Sequence, residues 1–199
     1  MPKVLLLPGL MGNGNLRRNA LTQAGFEVEV VMFDDAPVAG LDRVFNAPLQ
    51  NLVPMVSMLM KSRRIFARWV FQATAAYEAF HPDIIVGSSR GGSVAMTMQV
   101  DERVPTVLLA PAYRWFRWVG GRTTITHPNV TIVHSKQDER IPFADSEELC
   151  RRCPQVRLIE AGTDHSLISP DATAIWVQEV IRLTQREHCP QPDPEMRRG

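Results

Sequence analysis

Apolar residues along this chain fall into two alternating patterns, short continuous runs and helical spacings. The run Val4-Leu5-Leu6-Leu7 is followed by Pro8-Gly9-Leu10-Met11-Gly12-Asn13-Gly14, a stretch of turn formers. A short apolar run bounded by turn formers predicts a buried strand. Residues 15–24 read as a helix stopped by Gly25. Residues 27–33 alternate Val28, Val30 and Met32 with charged or exposed neighbours and predict a second strand. Strand, helix, strand within about thirty residues is a βαβ unit. Residues 35–54 are irregular, broken by Pro37, Gly40, Pro48 and Pro54. From Met55 a helical spacing places Leu59, Phe66, Trp69, Ala73, Ala76, Tyr77 and Phe80 on one face. Further strands are expected at 84–86, 106–110, 130–134 and 156–160, and helices at 92–100, 143–152 and 171–187. The connection 111–121 is dense in aromatic residues and lacks convincing helical spacing. The pattern predicts an α/β architecture: a mostly parallel sheet of about six strands with helices on both faces.

Composition narrows the class. The chain has 199 residues, 45% hydrophobic and 22% charged, with a formal net charge of +1. One domain over residues 1–187 is expected, with 188–199, rich in proline and charge, as a disordered tail. Near-neutral charge gives no general attraction to nucleic acid or acidic membranes. No apolar run is long enough to span a bilayer, and residues 1–3 enter strand sequence without a signal peptide's apolar segment. Three cysteines, an odd number, point to a reduced cytoplasmic setting. Cys150 and Cys153 form a C-x-x-C late in a charged helix, away from the start of a βα unit, so neither a redox nor a metal role is expected. The glycine loop after the first run matches neither phosphate-binding nor dinucleotide-binding spacing. Lys61, Arg63, Arg64 and Arg68 read as a solvated helix face, and Met55, Met58 and Met60 as core filler or a flap.

The chemistry centres on Gly87-Ser88-Ser89-Arg90-Gly91, where an apolar strand meets helix-forming sequence. A Gly-x-Ser-x-Gly in that context is the pattern of a nucleophile elbow, with Ser89 at its tip. The small residues let the backbone turn sharply, and the helix N-terminus favours developing negative charge. Serine needs a base to take its proton, and the base needs an acid to fix its tautomer. Asp138 and His165 each follow a later strand on a short loop, giving the order Ser, Asp, His along the chain. Asp164 is the rival acid, but a residue adjacent to the histidine is poorly placed to reach its ring edge. Tyr113, Trp115, Phe116 and Trp118 follow a strand end on the expected ligand side, where they either wall a substrate pocket or pack the sheet edge.

The chain resembles the α/β-hydrolase superfamily from Val4 to about Leu183. Gly87-Ser88-Ser89-Arg90-Gly91 resembles its elbow, Asp138-Glu139-Arg140-Ile141-Pro142 its acid loop, and Gly162-Thr163-Asp164-His165-Ser166-Leu167 its histidine loop. The Gly-Ser-Ser-x-Gly-Gly form and the small size are similar to compact lidless esterases of the YqiA-like type. The resemblance implies a reduced three-layer α/β-hydrolase fold. It also implies an oxyanion hole from two main-chain N–H groups, by position those of Leu10 and Arg90, with Met11 the alternative to Leu10. The side chain of Arg90 is expected to face solvent. The implied activity is a cofactor-free serine hydrolase acting on a small-molecule ester with a short to medium acyl chain. A thioesterase or other acyl hydrolase, and a non-catalytic ligand- or protein-binding protein on the same fold, are the alternative readings.

Overall fold

The apolar runs at 4–7, 84–86, 106–109 and 130–134 form strands buried on both faces, the behaviour expected of the centre of a parallel sheet. A computed structural model describes residues 1–10, 13–34, 52–126 and 128–186, with side chains from residue 59 onward in the second helix. Six strands, β1 (Lys3–Leu7), β2 (Glu27–Val30), β3 (Ile84–Ser88), β4 (Thr106–Leu109), β5 (Val130–His134) and β6 (Arg157–Glu160), make one sheet in the order β2-β1-β3-β4-β5-β6. Every neighbouring pair is parallel. Period-two alternation sends Val4, Leu6, Ile84, Val86, Val107, Leu109 and Val133 to one face. There they meet Leu21 of α1 (Gly14–Gln23) and Trp176 and Val180 of α6 (Pro170–Arg186). Leu5, Leu7, Ile85, Leu108, Val130 and Ile132 point to the other face. Helices α2 (Leu52–Phe80), α3 (Arg90–Thr97) and α5 (Phe143–Arg152) cover them. Among the described residues no helix is long and apolar enough to cross a membrane.

Three elements differ from the sequence expectation. Strand β2 ends at Val30, and Met32 is 82% exposed while Val31 and Phe33 are buried. The sheet edge explains this: Phe33 lies under Trp69 of α2, with ring centroids 6.1 Å apart. Helix α2 begins before Met55 and runs through Pro54, because an N–H missing in a helix's first turn costs no intrahelical bond. The stretch after β4 is helical after all, with α4 (Tyr113–Phe116) followed by a 3₁₀ turn over Arg117–Val119. Its buried residues, Tyr113, Phe116 and Val119, recur every third position, too short a run to register as a helical stripe.

The strand order creates a crevice. The chain leaves β1 toward β2 on one side and returns to β3 on the other, so the loops after β1 and β3 diverge at their C-terminal ends. That reversal is where open α/β sheets place their ligands. Here it brings the Gly9-Leu10 loop beside Ser89. A Cβ added at Gly9 would lie 3.3 Å from the Cβ of Ser89.

Candidate active site

Ser89 occupies the turn between β3 and α3 with φ 50° and ψ −110°, a left-handed conformation that a non-glycine residue adopts only under constraint. Its N–H donates to Leu109 O at 2.8 Å and its carbonyl accepts from Ala112 N at 3.1 Å, so β4 and the following loop hold the turn from one side. The other side is held by contact with β1. A Cβ on Gly91 would come within 2.0 Å of Leu7 O, so only glycine lets α3 approach this closely. The closing glycine of the motif is thus required by the packing of helix against strand.

Asp138 and His165 meet. His165 Nδ1 lies 2.6 Å from Asp138 Oδ2, and the Asp138 side chain is fully buried. An ionised carboxylate only accepts, so the pair places the proton on Nδ1 and leaves the Nε2 lone pair available as a base. Asp138 receives three further hydrogen bonds. The N–H groups of Arg140 and Ile141 donate to Oδ1 at 2.8 and 2.9 Å, and His134 Nε2 donates to Oδ2 at 3.0 Å. Burial pushes the Asp138 carboxyl upward, but the bonds from His134, His165, Ile141 and Arg140 outweigh it and hold the group well below the usual carboxylate range. His134 is itself fully buried. Its Nε2 faces two acceptors, Asp138 Oδ2 and Ile141 O, and its Nδ1 lies 2.7 Å from Ser146 Oγ. It therefore acts as a fixed donor behind the acid.

Asp164 is engaged elsewhere. Its Oδ1 accepts the N–H groups of Ser166 and Leu167 at 2.8 and 2.9 Å, which shapes the histidine loop. The same loop is tied down by Ser135 Oγ to Gly162 O and Trp176 Nε1 to Leu167 O, and by Arg17 Nη2 to Ser166 O at 2.5 Å. Arg17 is only 3% exposed. Burial lowers its pKa to about 10, with the nearby Asp164 carboxylate opposing the shift.

Ser89, His165, Leu10, Ile141, Trp115 and Phe116 line one cleft of about 720 Å³ at the C-terminal edge of the sheet. Of the four aromatics proposed as a pocket wall, Trp115 and Phe116 thus line the cleft. Tyr113 does not: it is buried in the core and its hydroxyl donates to Asp145 O at 3.0 Å. Trp118 lies outside the lining, 60% exposed, with the Arg117 guanidinium 4.6 Å from its ring centre. One helical turn separates these side chains into inward and outward sets, which the composition of the segment did not show. Leu10 lines the cleft next to Gly9, and Arg90 opens α3 immediately after Ser89; Met11 lies outside the described residues. The expectation of a solvent-facing Arg90 side chain is overturned. It is 2% exposed, with its guanidinium 4.7 Å from the ring centre of Phe33 and 4.6 Å from that of Trp69. Its Nη2 donates to Gly9 O at 3.2 Å. Sequence reasoning also missed Arg17 and His134 as supports of the site. The four-residue spacing of His134 and Asp138 across a strand end was the signal available for the latter.

A six-stranded parallel sheet covered on both faces, with a serine elbow after β3 and an Asp–His pair from the loops after β5 and β6, defines the α/β-hydrolase fold. Solved structures with this fold superpose over nearly the whole chain. Alpha/beta hydrolase domain-containing protein 10 from mouse aligns with a TM-score of 0.65 at 13% identity, covering 94% of this chain and 91% of its own. Est1E from Butyrivibrio proteoclasticus gives 0.61 at 14% identity, covering 94% and 87%. The carboxylesterase Cest-2923 from Lactobacillus plantarum gives 0.57 at 16% identity, covering 96% and 88%. No protein-family model and no curated protein matches the chain.

Proposed function

We propose that the protein is a serine hydrolase that cleaves carboxylic esters through an acyl-enzyme. The observation that carries this reading is the convergence of a left-handed Ser89 and a 2.6 Å Asp138–His165 pair on one cleft. In this mechanism His165 Nε2 takes the Ser89 hydroxyl proton as the oxygen attacks the acyl carbonyl. Asp138 holds the imidazole in the required tautomer and supports its positive charge. The main-chain N–H groups of Arg90 and Leu10 receive the oxyanion. The imidazolium then protonates the leaving alcohol, and water, deprotonated by the same ring, releases the acid. Fold likeness to a named carboxylesterase agrees with this reading without specifying a substrate.

The decisive experiment is labelling with a fluorophosphonate probe, followed by peptide mapping and by turnover of p-nitrophenyl esters and acyl-thioesters. The wild-type protein should label at Ser89, and Ser89→Ala should lose both labelling and turnover while remaining folded. Labelling that persists in Ser89→Ala would overturn the assignment. A folded wild-type protein that neither labels nor turns over would point to a binding protein on this fold. Faster turnover of thioesters than of oxygen esters would move the activity to the thioesterase reading.

A further inference from the structure

The side chain of Arg90 has no part in the reaction outlined above, yet it is a charged group held in the core. Its guanidinium lies against the rings of Phe33 and Trp69, and it bonds the carbonyl of Gly9. Burying a guanidinium is costly unless it is hydrogen-bonded and compensated, so its contacts bear on what it does there. The acceptor it grips is informative. Gly9 C=O and Leu10 N–H belong to the same peptide group, and among the described residues no peptide bond is cis. In a planar trans peptide the C=O and N–H vectors point in opposite directions. Fixing the oxygen therefore fixes the hydrogen on the far side. Gly9 cannot do this alone, because a residue without Cβ opposes rotation of the following peptide only weakly. Gly9 is also packed directly against Ser89, so rotation of this peptide would be felt at the nucleophile.

We propose that Arg90 is a positioning residue for the oxyanion hole: by holding Gly9 O from the core side, its side chain sets the Leu10 N–H toward the cleft beside Ser89. The inference rests on the serine-hydrolase reading for its catalytic consequence. On this arrangement one residue serves both donors, supplying its own main-chain N–H and orienting that of Leu10 through its side chain. The aromatic pair keeps the guanidinium from swinging away. Phe33 comes from the chain after β2 and Trp69 from α2, so two elements remote from the chemistry set the geometry of the hole.

The test uses Arg90→Met, which keeps an unbranched chain between Phe33 and Trp69 but cannot donate to Gly9 O. Loss of an oxyanion donor lowers kcat by about 10² to 10³; a donor misdirected for most of the time should lower it by on the order of 10². KM for a p-nitrophenyl ester should change less than about twofold, since the ground-state carbonyl makes little use of the hole. Affinity for a boronic acid, which mimics the tetrahedral intermediate, should fall in parallel with kcat. Arg90→Lys, able to donate again, should recover part of both, and it is the variant to be read if Arg90→Met does not fold. Unchanged kcat, or a fall in kcat without loss of boronate affinity, would overturn the proposal. The ¹⁵N–¹H resonance of Leu10 gives a readout independent of activity. It should shift in Arg90→Met relative to wild type, and an unmoved resonance would overturn the proposal even if the protein has no esterase activity. Absence of fluorophosphonate labelling in the wild type would instead remove the serine-hydrolase reading and leave the resonance to decide the orientation of the peptide.

Discussion

Two aspartates lie near His165, and their surroundings divide the work between them. Asp138 sends Oδ2 to the ring and uses Oδ1 to cap its own loop, while Asp164 uses Oδ1 on the amides of Ser166 and Leu167. Asp138→Asn offers an amide in place of an acceptor and should favour the wrong imidazole tautomer. Turnover should fall on the order of 10⁴-fold, as in a comparable triad substitution. Asp164→Asn keeps an oxygen for the same two amides and should lower turnover less than about tenfold, consistent with a surface turn whose bonds are each worth about 1 kcal/mol. Steady-state kinetics on one ester, with circular dichroism to establish folding, distinguishes the two. A larger loss in Asp164→Asn would mean that the acid lies on the histidine loop.

Among the elements, the packing of α3 on β1 has the least tolerance. A methyl group at residue 91 would sit 2.0 Å from the carbonyl oxygen of Leu7, a backbone atom that cannot move without breaking the ladder with β3. Gly91→Ala should therefore cost more than about 4 kcal/mol, in the range reserved for severe overpacking and strain, and urea denaturation should find it largely unfolded. Gly14→Ala is the control. Its Cβ would meet Pro8 Cβ at 3.4 Å, an ordinary contact, at the start of α1. Stability there should change by no more than about 1 kcal/mol.

For the whole molecule, the proposed ester-hydrolase reading ties the range of acyl chains to the shape of the cleft. The connection from β4 to β5 holds one helical turn and a 3₁₀ turn, and among its described residues no helical lid is inserted. Trp115 is half exposed beside the cleft, and Phe116 is stacked on Phe66 with centroids 5.2 Å apart, so the apolar wall is shallow and firmly backed. Each methylene that becomes buried contributes about 0.8 kcal/mol, and a shallow wall stops rewarding length after a few carbons. Activity on p-nitrophenyl esters should rise over the first few acyl carbons and then fall, without a jump at the solubility limit. Trp115→Ala should raise KM more than it lowers kcat. Activity that climbs only above the solubility limit of a long-chain ester would show that another segment covers the cleft.

Apart from the short helical segment at residues 113–119, the sequence by itself determined the succession of strands and helices, because the periods of two and of three to four residues depend on near neighbours. It also made Ser89, Asp138 and His165 legible as candidates, since each follows a strand and parallel strands send those ends to one edge of the sheet. The tertiary structure decided what depends on residues far apart in the chain. Arg90 carries a charge in a motif at the surface end of a strand, and local rules place such a group in solvent. Its burial depends on Phe33, on Trp69 and on a carbonyl 81 positions away. The second histidine on Asp138 left only a four-residue spacing across a strand end in the sequence, and Arg17 only one charge on a polar helix. Which aromatics of residues 113–118 line the cleft was settled by a single helical turn too short to leave a periodic trace. Long-range packing converts isolated polar residues into supports of the site, and apart from the spacing of His134 and Asp138 no local pattern carries that information.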